Sequence, residues 1–593
     1  MPRLGMKVSA LALGFAVTSA MGAIPEEGVH PDFTVSEVKM PGQYKTMGLV
    51  FMKDGHMALG VTDFVGWGEL PTSASNKHKI FLVEGPGTPS PKVTEISHTW
   101  LQLSGLTVAE NKLYATDRDG FYEIQELSPP TGTDLTKNRR LIVKWPDEGT
   151  WNVGGVQFHQ WVFTPFYHQG SFYGPYCGVT REGGHSDINP TTKMAGALLK
   201  WGTDGGLEAL AGGLRVANGA GLDENTGEIF VSDNQGGWFP ASTFTRIRSG
   251  RFYGHRNKSP TTSANWAETL PYDPPAAWLP FKTLRVSPSQ PALVPQGFYA
   301  GDWLLGDVAS PGLVRISLDK VGDEFNGAVF WFSNGFSNAA INRMAWGPDG
   351  SLYIGTFMTI GANWPSGKLQ PLFKLAPKAT ATAFEMKSIR SIKDGLEIEF
   401  TQPVDAATAL KANFTARQWQ YIRQLEYGTG KQPEQALSVS ETAVSTDGRR
   451  VFLKLAGLVP DRVVYIKHTG VKSATGAAVW NDEAWFTHNY LSTREWSLGS
   501  SALKPKSSTN SQFAKNVVSR VLGQGILAVT LDVAGPWNAS LIAPDGAVVA
   551  SQSGQSSKRF ELSTRAAQTG VYLLRVMLKE GLMGEEVVRK IVF

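Results

Sequence analysis

From about Pro25 to Pro377 one local pattern of polar and apolar positions recurs. A turn bearing Gly or Asn runs straight into an apolar or aromatic segment. The copies are Asp54-Gly55-His56-Met57, Asn111-Lys112-Leu113-Tyr114, Gly170-Ser171-Phe172-Tyr173, Gly227-Glu228-Ile229-Phe230, Gly301-Asp302-Trp303-Leu304 and Asp349-Gly350-Ser351-Leu352-Tyr353. Repetition at roughly fifty to sixty residues in a β-rich chain predicts propeller blades, each a four-stranded sheet. Six copies predict six blades. The longer gap between the fourth and fifth copies predicts a loop insertion near Ser259 to Pro295.

From Lys378 the pattern changes to period two, in Phe384-Glu385-Met386, Leu396-Glu397-Ile398-Glu399-Phe400 and Val451-Phe452-Leu453-Lys454-Leu455. Such strands are half buried, as in an antiparallel sandwich of the immunoglobulin or fibronectin kind. Pro403 ends a strand because it cannot continue the ladder, and Ala406 to Phe414 reads as a short helix. Residues 491–511 include a Ser/Lys/Thr/Asn-rich stretch that reads as a linker. Alternation returns in Leu527-Ala528-Val529-Thr530-Leu531 and Gly570-Val571-Tyr572-Leu573-Leu574-Arg575-Val576. The expected fold is all-β: a six-bladed propeller over 24–377, a sandwich over 378–490 and a small C-terminal sandwich over 512–593.

Composition agrees with this reading. The 593 residues are too many for one core. With 64 Gly, 18 Trp and only 18% charged residues, the chain has the make-up of turn-rich β structure. The net charge of +4 and the lack of any Lys/Arg run argue against a nucleic-acid partner. Arg3 and Lys7, then apolar Val8 to Val17, then Ser19-Ala20-Met21-Gly22-Ala23 form the pattern of a signal peptide over 1–23. No later apolar run of about 18 residues follows, so the expected location is secreted or cell-surface. Cys177 is the only cysteine, which excludes an internal disulfide. It reads as a small buried residue. No Cys-x-x-Cys-His occurs, so no c-type haem is expected.

The chemistry concentrates between Gly212 and His255. Glycines there flank a short apolar strand that delivers Asp233, Asn234 and Gln235 into a Gly-Gly turn ahead of Trp238. Glycine permits close approach of a ligand to the backbone, and polar residues at strand ends on a rigid scaffold build binding sites. Arg215, Asn218, Asp233, Asn234, Gln235 and Trp238 are the ligand-facing candidates. A β-turn in which Asp and Asn cap their own backbone is the alternative. His159 suits a general base, or is structural. Arg215 and Arg343 either pair with carboxylates of the chain or, at a propeller mouth, hold a carboxylate-bearing ligand. Trp67, Trp238, Trp278 and Trp364 suit sugar stacking if exposed, and core packing if not. No Gly-x-Ser-x-Gly, His-Glu-x-x-His or P-loop is present.

Gly213-Leu214-Arg215 through Gly219, with Gly250-Arg251-Phe252-Tyr253-Gly254, resembles the soluble quinoprotein glucose/sorbosone dehydrogenase superfamily. Asp233-Asn234-Gln235-Gly236-Gly237-Trp238 resembles a signature of a bacterial branch of membrane-bound or sorbosone-type dehydrogenases. The resemblance covers most of Gly42 to Lys374 and the following sandwich. It implies an oxidoreductase acting on a sugar or polyol and passing electrons to a separate acceptor. It implies pyrroloquinoline quinone and calcium as cofactors. His159 falls at the family's base, Arg215 and Arg343 near its quinone-contacting arginines, and Gln235 and Gly236 near its calcium-binding turn. Three positions depart from the family: Val216 for an asparagine, Ser242-Thr243 for an acidic pair, and Ala309 for a lysine. Asp545-Gly546, Gly570 to Val576 and Lys590-Ile591-Val592-Phe593 resemble a type IX secretion sorting domain, which implies outer-membrane secretion machinery as a partner. Two other functions stay open. One is a non-catalytic propeller binding glycan or protein. The other is a sugar hydrolase or lyase with His159 as base and either a bound metal or a partner carboxylate such as Asp233 or Asp307.

Overall fold

The computed structural model describes residues 28–62, 75–127, 138–146, 157–158, 161–178, 180–181, 194–256, 266–360, 365–380, 383–496, 517–523, 526–542, 548–563, 571–578 and 586–592. The leader segment, His159, Trp67, Trp364 and the Ser500–Ser511 stretch lie outside the described residues. The described part is all-β and propeller-like. Blade 1 holds Lys45–Phe51, Met57–Thr62, Ser75–Glu84 and Lys92–Trp100; blade 2 holds Gly105–Ala109, Lys112–Thr116, Gly120–Ile124 and Arg139–Lys144. Blade 3 holds Phe166–His168, Ser171–Pro175, Leu198–Trp201 and Leu207–Ala211; blade 4 holds Ala217–Asp223, Glu228–Asp233, Ser242–Ile247 and Ala277–Leu279. The closing blade joins Ala339–Trp346, Leu352–Ile360 and Leu372–Pro377 to the early strand Phe33–Val38, with Phe33 opposite Pro377. Pro365–Leu369 pairs with Leu352–Ile360 on the side.

Each of the six turns read from the sequence opens the second strand of its run. The reason is local. Gly55, Asn111, Gly170, Gly227, Gly301 and Gly350 all take positive φ, between 64° and 88°, which a tight turn between twisted strands requires.

Five blades are found as separate sheets, where six were expected. The strands Pro288–Leu293, Trp303–Asp307, Leu313–Val321 and Glu324–Ser333 belong instead to an eleven-stranded sheet that continues into the sandwich. Their outer strand pairs with Glu483–His488, placing Ala328 opposite Phe486. The first strands of all six runs nonetheless lie beside one another in order, and Ala339–Trp346 returns to Lys45–Phe51. Apolar clusters fill the gaps between sheets. Phe121, Phe172 and Trp201 pack between blades 2 and 3, with Phe121 meeting Trp201 edge-on at 5.1 Å. Each such ring contributes about 1.5–3 kcal/mol on burial.

The sandwich strands run from Met386–Ile392 to Glu483–His488 around Phe400, Leu453, Val464 and Phe486. The helix expected over Ala406 to Phe414 is only a 3-10 turn at Lys411–Asn413. Asn413 Nδ2 donates to Thr408 O at 2.8 Å and holds the segment as a loop, and Phe414 starts a strand. A buried ion cluster rivets the sandwich to the propeller. Glu385 Oε1 lies 3.0 Å from His30 Nε2 and accepts from the Tyr299 hydroxyl. Arg315 Nη1 donates to Asp302 Oδ2 at 2.7 Å, and its Nη2 donates to Met386 O at 2.6 Å and lies 3.8 Å from Glu385 Oε2.

Gly499–Phe593 forms a second compact unit. Its described residues form one five-stranded sheet, where a small sandwich was expected. Its apolar cluster is built on the alternate positions Val529 and Leu531 together with Leu541 and Leu574, with Trp537 stacked on Phe560 at 4.8 Å.

Candidate functional site

The first strands begin, and the second strands end, at one end of the channel. Lys45 stands opposite Thr62, Gly105 opposite Thr116, Ala217 opposite Asp233 and Pro288 opposite Asp307. Loops at this mouth carry Arg118, Trp161, Arg215, Asn234 and Gln235.

Arg343 lies inside the channel and is 1% exposed. Its Nε donates to Met47 O of blade 1 at 3.0 Å, and its Nη2 donates to Ser104 O ahead of blade 2 at 3.0 Å. Nη1 reaches Asn218 O and Oδ1 on blade 4 and Asn342 O and Oδ1 on its own strand. The guanidinium sits 5.4 Å from the Phe163 ring. Asn218 Nδ2 donates to Asn342 Oδ1 at 3.2 Å. Arg343 and Asn218 thus tie four walls of the channel together, mostly through main-chain oxygens. Burial lowers the Arg343 pKa to about 9. The Cys177 thiol, buried and pushed up by burial and then by Asp233, lies within electrostatic reach of both Arg343 and Arg215.

Asp233 is 1% exposed. Its oxygens accept from the backbone N–H groups of Arg215, Val216 and Asn234 at 2.7 to 2.8 Å. The same device recurs at the ends of other second strands. Asp117 accepts from Leu101, Asp119 and Gly120, and Asp307 from Val286, Ser287 and Ala309. Each pins the loop that enters its own sheet. Burial raises Asp117 and Asp233 to about 6 against these bonds, and raises Asp307 as well. The carboxylates of Asp233 and Asp307 are therefore engaged by the backbone.

Around Arg215 the arrangement is different. Its guanidinium packs against Gly236, where a Cβ would lie 2.1 Å from Cζ; φ at Gly236 is 155°. An arm of the sandwich, residues 420–432, covers this part of blade 4. Ile422 N donates to Gly430 O and Gln432 N to Gln420 O, closing the arm as a hairpin. Trp238 has φ of 66°, a left-handed conformation uncommon outside glycine. The arm holds it at both ends of its backbone. Its N–H donates to Gln424 O at 2.7 Å, and its carbonyl accepts from Arg423 at 3.1 Å. Gln235 Nε2 donates to the Tyr427 hydroxyl at 2.6 Å, and Tyr427 lies over Arg215 at 5.7 Å. Along this loop and at His255, Asn234 Oδ1, Gln235 Oε1, Trp238 Nε1 and His255 Nε2 are buried without a hydrogen-bond partner among the described residues. Burial, then Arg215 and Arg423, lower the His255 pKa to about 3, so its ring is neutral. Trp278, read as a stacking platform if exposed and as core if not, is buried, with Arg423 over its ring at 5.0 Å.

Sequence reasoning missed His255, Arg423 and Tyr427. His255 directly follows the Gly-Arg-Phe-Tyr-Gly motif and could have been read with it. The arm residues had no local signal.

Further around the mouth, Lys45 lies 6.0 Å from the Phe357 ring and Arg118 5.4 Å from the Trp161 ring. Burial lowers Lys45 to about 8 and Arg118 to about 9, and lowers Arg215 too. These cations suit the charge of an anionic quinone. The residues do not suit calcium. No three His, Cys, Asp or Glu side chains gather as a metal-holding group among the described residues. Gln235 and Asn234 offer neutral oxygens only, whereas calcium takes six to eight oxygens, carboxylates among them.

No family model matches the chain. No curated protein matches it either. Solved structures similar to it include a glucose dehydrogenase, at 15% identity over 59% of this chain and all of that chain, TM-score 0.40. The soluble aldose sugar dehydrogenase of Escherichia coli in its apo-form is similar at 14% identity, over 58% of this chain and all of that chain, TM-score 0.38. An α-L-arabinofuranosidase from Fusarium graminearum with an iminosugar inhibitor is similar at 11% identity, over 59% of this chain and 97% of that chain, TM-score 0.34. With every one of these scores below 0.5, the propeller is read from its own strand pairing.

Proposed function

We propose that the channel mouth binds a small, hydroxylated, carboxylate-bearing molecule of the sugar-acid class. The observation that carries this is the placement of Lys45, Arg118 and Arg215, on three blades, at the same end of the strands, each buried and with its pKa lowered by that burial. A carboxylate arriving there favours the charged form of each cation and raises those values again. Binding is therefore linked to proton uptake. Lys45 is charged below about pH 8, so affinity for an anion holds at neutral pH and falls as pH rises through that value. Calorimetric titration with D-gluconate between pH 6 and 9.5 tests this. The expected result is weakening above about pH 8, flattened in Lys45→Met. An affinity independent of pH and of salt rejects the reading.

The second reading is a sugar or polyol oxidoreductase, favoured by the same three cations. They would face the carboxylates of pyrroloquinoline quinone, which when bound would supply a hydride acceptor. His159 is then the proposed base for the substrate hydroxyl, and electrons leave to a separate acceptor. Dye-linked dehydrogenase activity over a panel of sugars and polyols, on adding the quinone, supports this reading. Silence across the panel leaves a binding protein. We further propose that the protein works outside the inner membrane, with Gly499–Phe593 as its sorting unit. Deleting that unit should leave protein in the periplasm; unchanged release to the surface or medium rejects the sorting role.

A further inference from the structure

We propose that the arm of the sandwich, residues 420–432, forms part of the binding site, and that Tyr427 is a specificity-determining residue for ligand hydroxyl groups. This rests on the sugar-acid reading of the mouth and adds the part of the site that reads the ligand's hydroxylated end.

The argument starts from Gln235, which is 4% exposed. A buried amide that bonds through only one of its two ends is destabilising unless something answers the other. Its nitrogen is committed to the Tyr427 hydroxyl at 2.6 Å. Its other end, Oε1, is a buried acceptor with no donor among the described residues. The same holds for Asn234 Oδ1, and a buried donor, Trp238 Nε1, lies on the same loop. His255, 5% exposed, adds a neutral ring nitrogen. Two acceptors, one donor and one nitrogen of either kind are what a chain of hydroxyl groups pairs with, since each hydroxyl both donates and accepts. Arg215 borders this pocket and the mouth, because its guanidinium touches Gly236 and lies under Tyr427. On this proposal a single ligand meets the cations with its carboxylate and these buried polar atoms with its hydroxyl groups.

The arm is anchored at its base. Arg423 lies 4.4 Å from the Phe239 ring and 5.0 Å from the Trp278 ring, and its Nε donates to Tyr272 OH at 3.2 Å. Gly254 is pressed against that guanidinium. Tyr427, by contrast, is 37% exposed at the arm's tip.

The test compares D-gluconate with hexanoate, which carries a carboxylate and no hydroxyl, on the full chain by calorimetry. The wild type is expected to favour gluconate by at least about tenfold. Tyr427→Phe, which keeps the ring and leaves the Gln235 amide nitrogen unbonded, should lose most of that preference, with gluconate affinity falling more than hexanoate affinity and with a small loss of thermal stability. Gln235→Leu should abolish the preference. Should that variant fail to fold, Trp238→Phe gives a second reading through loss of the Nε1 donor. An undiminished preference in Tyr427→Phe and in either pocket variant overturns the proposal. Equal binding of both acids by the wild type overturns it too, while the anionic mouth stands. Failure to bind either acid removes both.

Discussion

At the seam, His30, Tyr299, Asp302, Arg315 and Glu385 bury charges of both signs against one another. Under the arm, Asn234, Gln235, Trp238 and His255 bury polar atoms that nothing among the described residues answers. The seam joins sandwich to propeller, and in both clusters the polar atoms in question are buried. The difference is in what each leaves over. In the seam each charge has an opposite partner, so removing a member exposes the others to an uncompensated burial. Under the arm, the polar groups are held in place by backbone and by Tyr427, yet their remaining atoms point at no protein group among the described residues. The first pattern holds two domains together; the second is that of a site awaiting polar atoms from elsewhere.

The largest expected effect is at the seam. Arg315→Met leaves Asp302 and Glu385 as buried carboxylates without their cation, and should cost about 3–5 kcal/mol in denaturant unfolding. A cost below about 1 kcal/mol would mean the seam is not what joins the domains.

Acid should separate the two regions next. Burial pushes the Glu385 carboxyl up, and Arg315, His30 and Tyr299 more than offset it, so it is held below its usual value. Its contribution is present at neutral pH and is lost as pH falls through that depressed value, below about pH 4. Asp233, raised to about 6 by burial, has the opposite sign. Its contribution is present below about pH 4 and is lost as pH rises through about 6. Asp233→Asn should flatten the stability profile between pH 4 and 6, with Asp117 keeping its own share. An unchanged profile would place Asp233 outside this balance.

The smallest effect should come from the arm. Arg423→Ala removes its hydrogen bonds to Trp238 and Tyr272 and the contact with Phe239, and should lower stability by about 1 kcal/mol. Chymotrypsin should then cut at Tyr427 faster than in the wild type. Equal cutting rates would show that Arg423 does not anchor the arm.

The propeller and sandwich strands were legible because their signals are local. A left-handed turn residue followed by an apolar run marks the second strand, and Leu396-Glu397-Ile398 shows its period directly. The sharing of Glu324–Ser333 with Glu483–His488 was not legible. Ala328 and Phe486 pair across more than 150 residues, and nothing in either strand announces its partner. At the site, the sequence pointed to Arg215 and Gln235 but could not show that Tyr427 bonds the Gln235 amide. It did contain a clue to Asp233. Tyr114-Ala115-Thr116-Asp117, Phe230-Val231-Ser232-Asp233 and Leu304-Leu305-Gly306-Asp307 end three strands alike, and a repeated position points to a repeated structural task. Arg343 was read as facing a ligand. A buried arginine whose acceptors are mostly main-chain oxygens leaves no such trace in the sequence.

The early strand Phe33–Val38 completes a sheet whose other members begin at Ala339. A chain delivered N-terminus first must wait for almost the whole ring to emerge before this strand finds its place. Pairing across such a separation is slow to form. Until then the strand shows a bare edge to its surroundings, open to capture by the matching edge of another unfinished copy. The ring thus carries a delay in its own assembly, set by the order in which the ribosome or translocase releases it rather than by any contact in the finished fold.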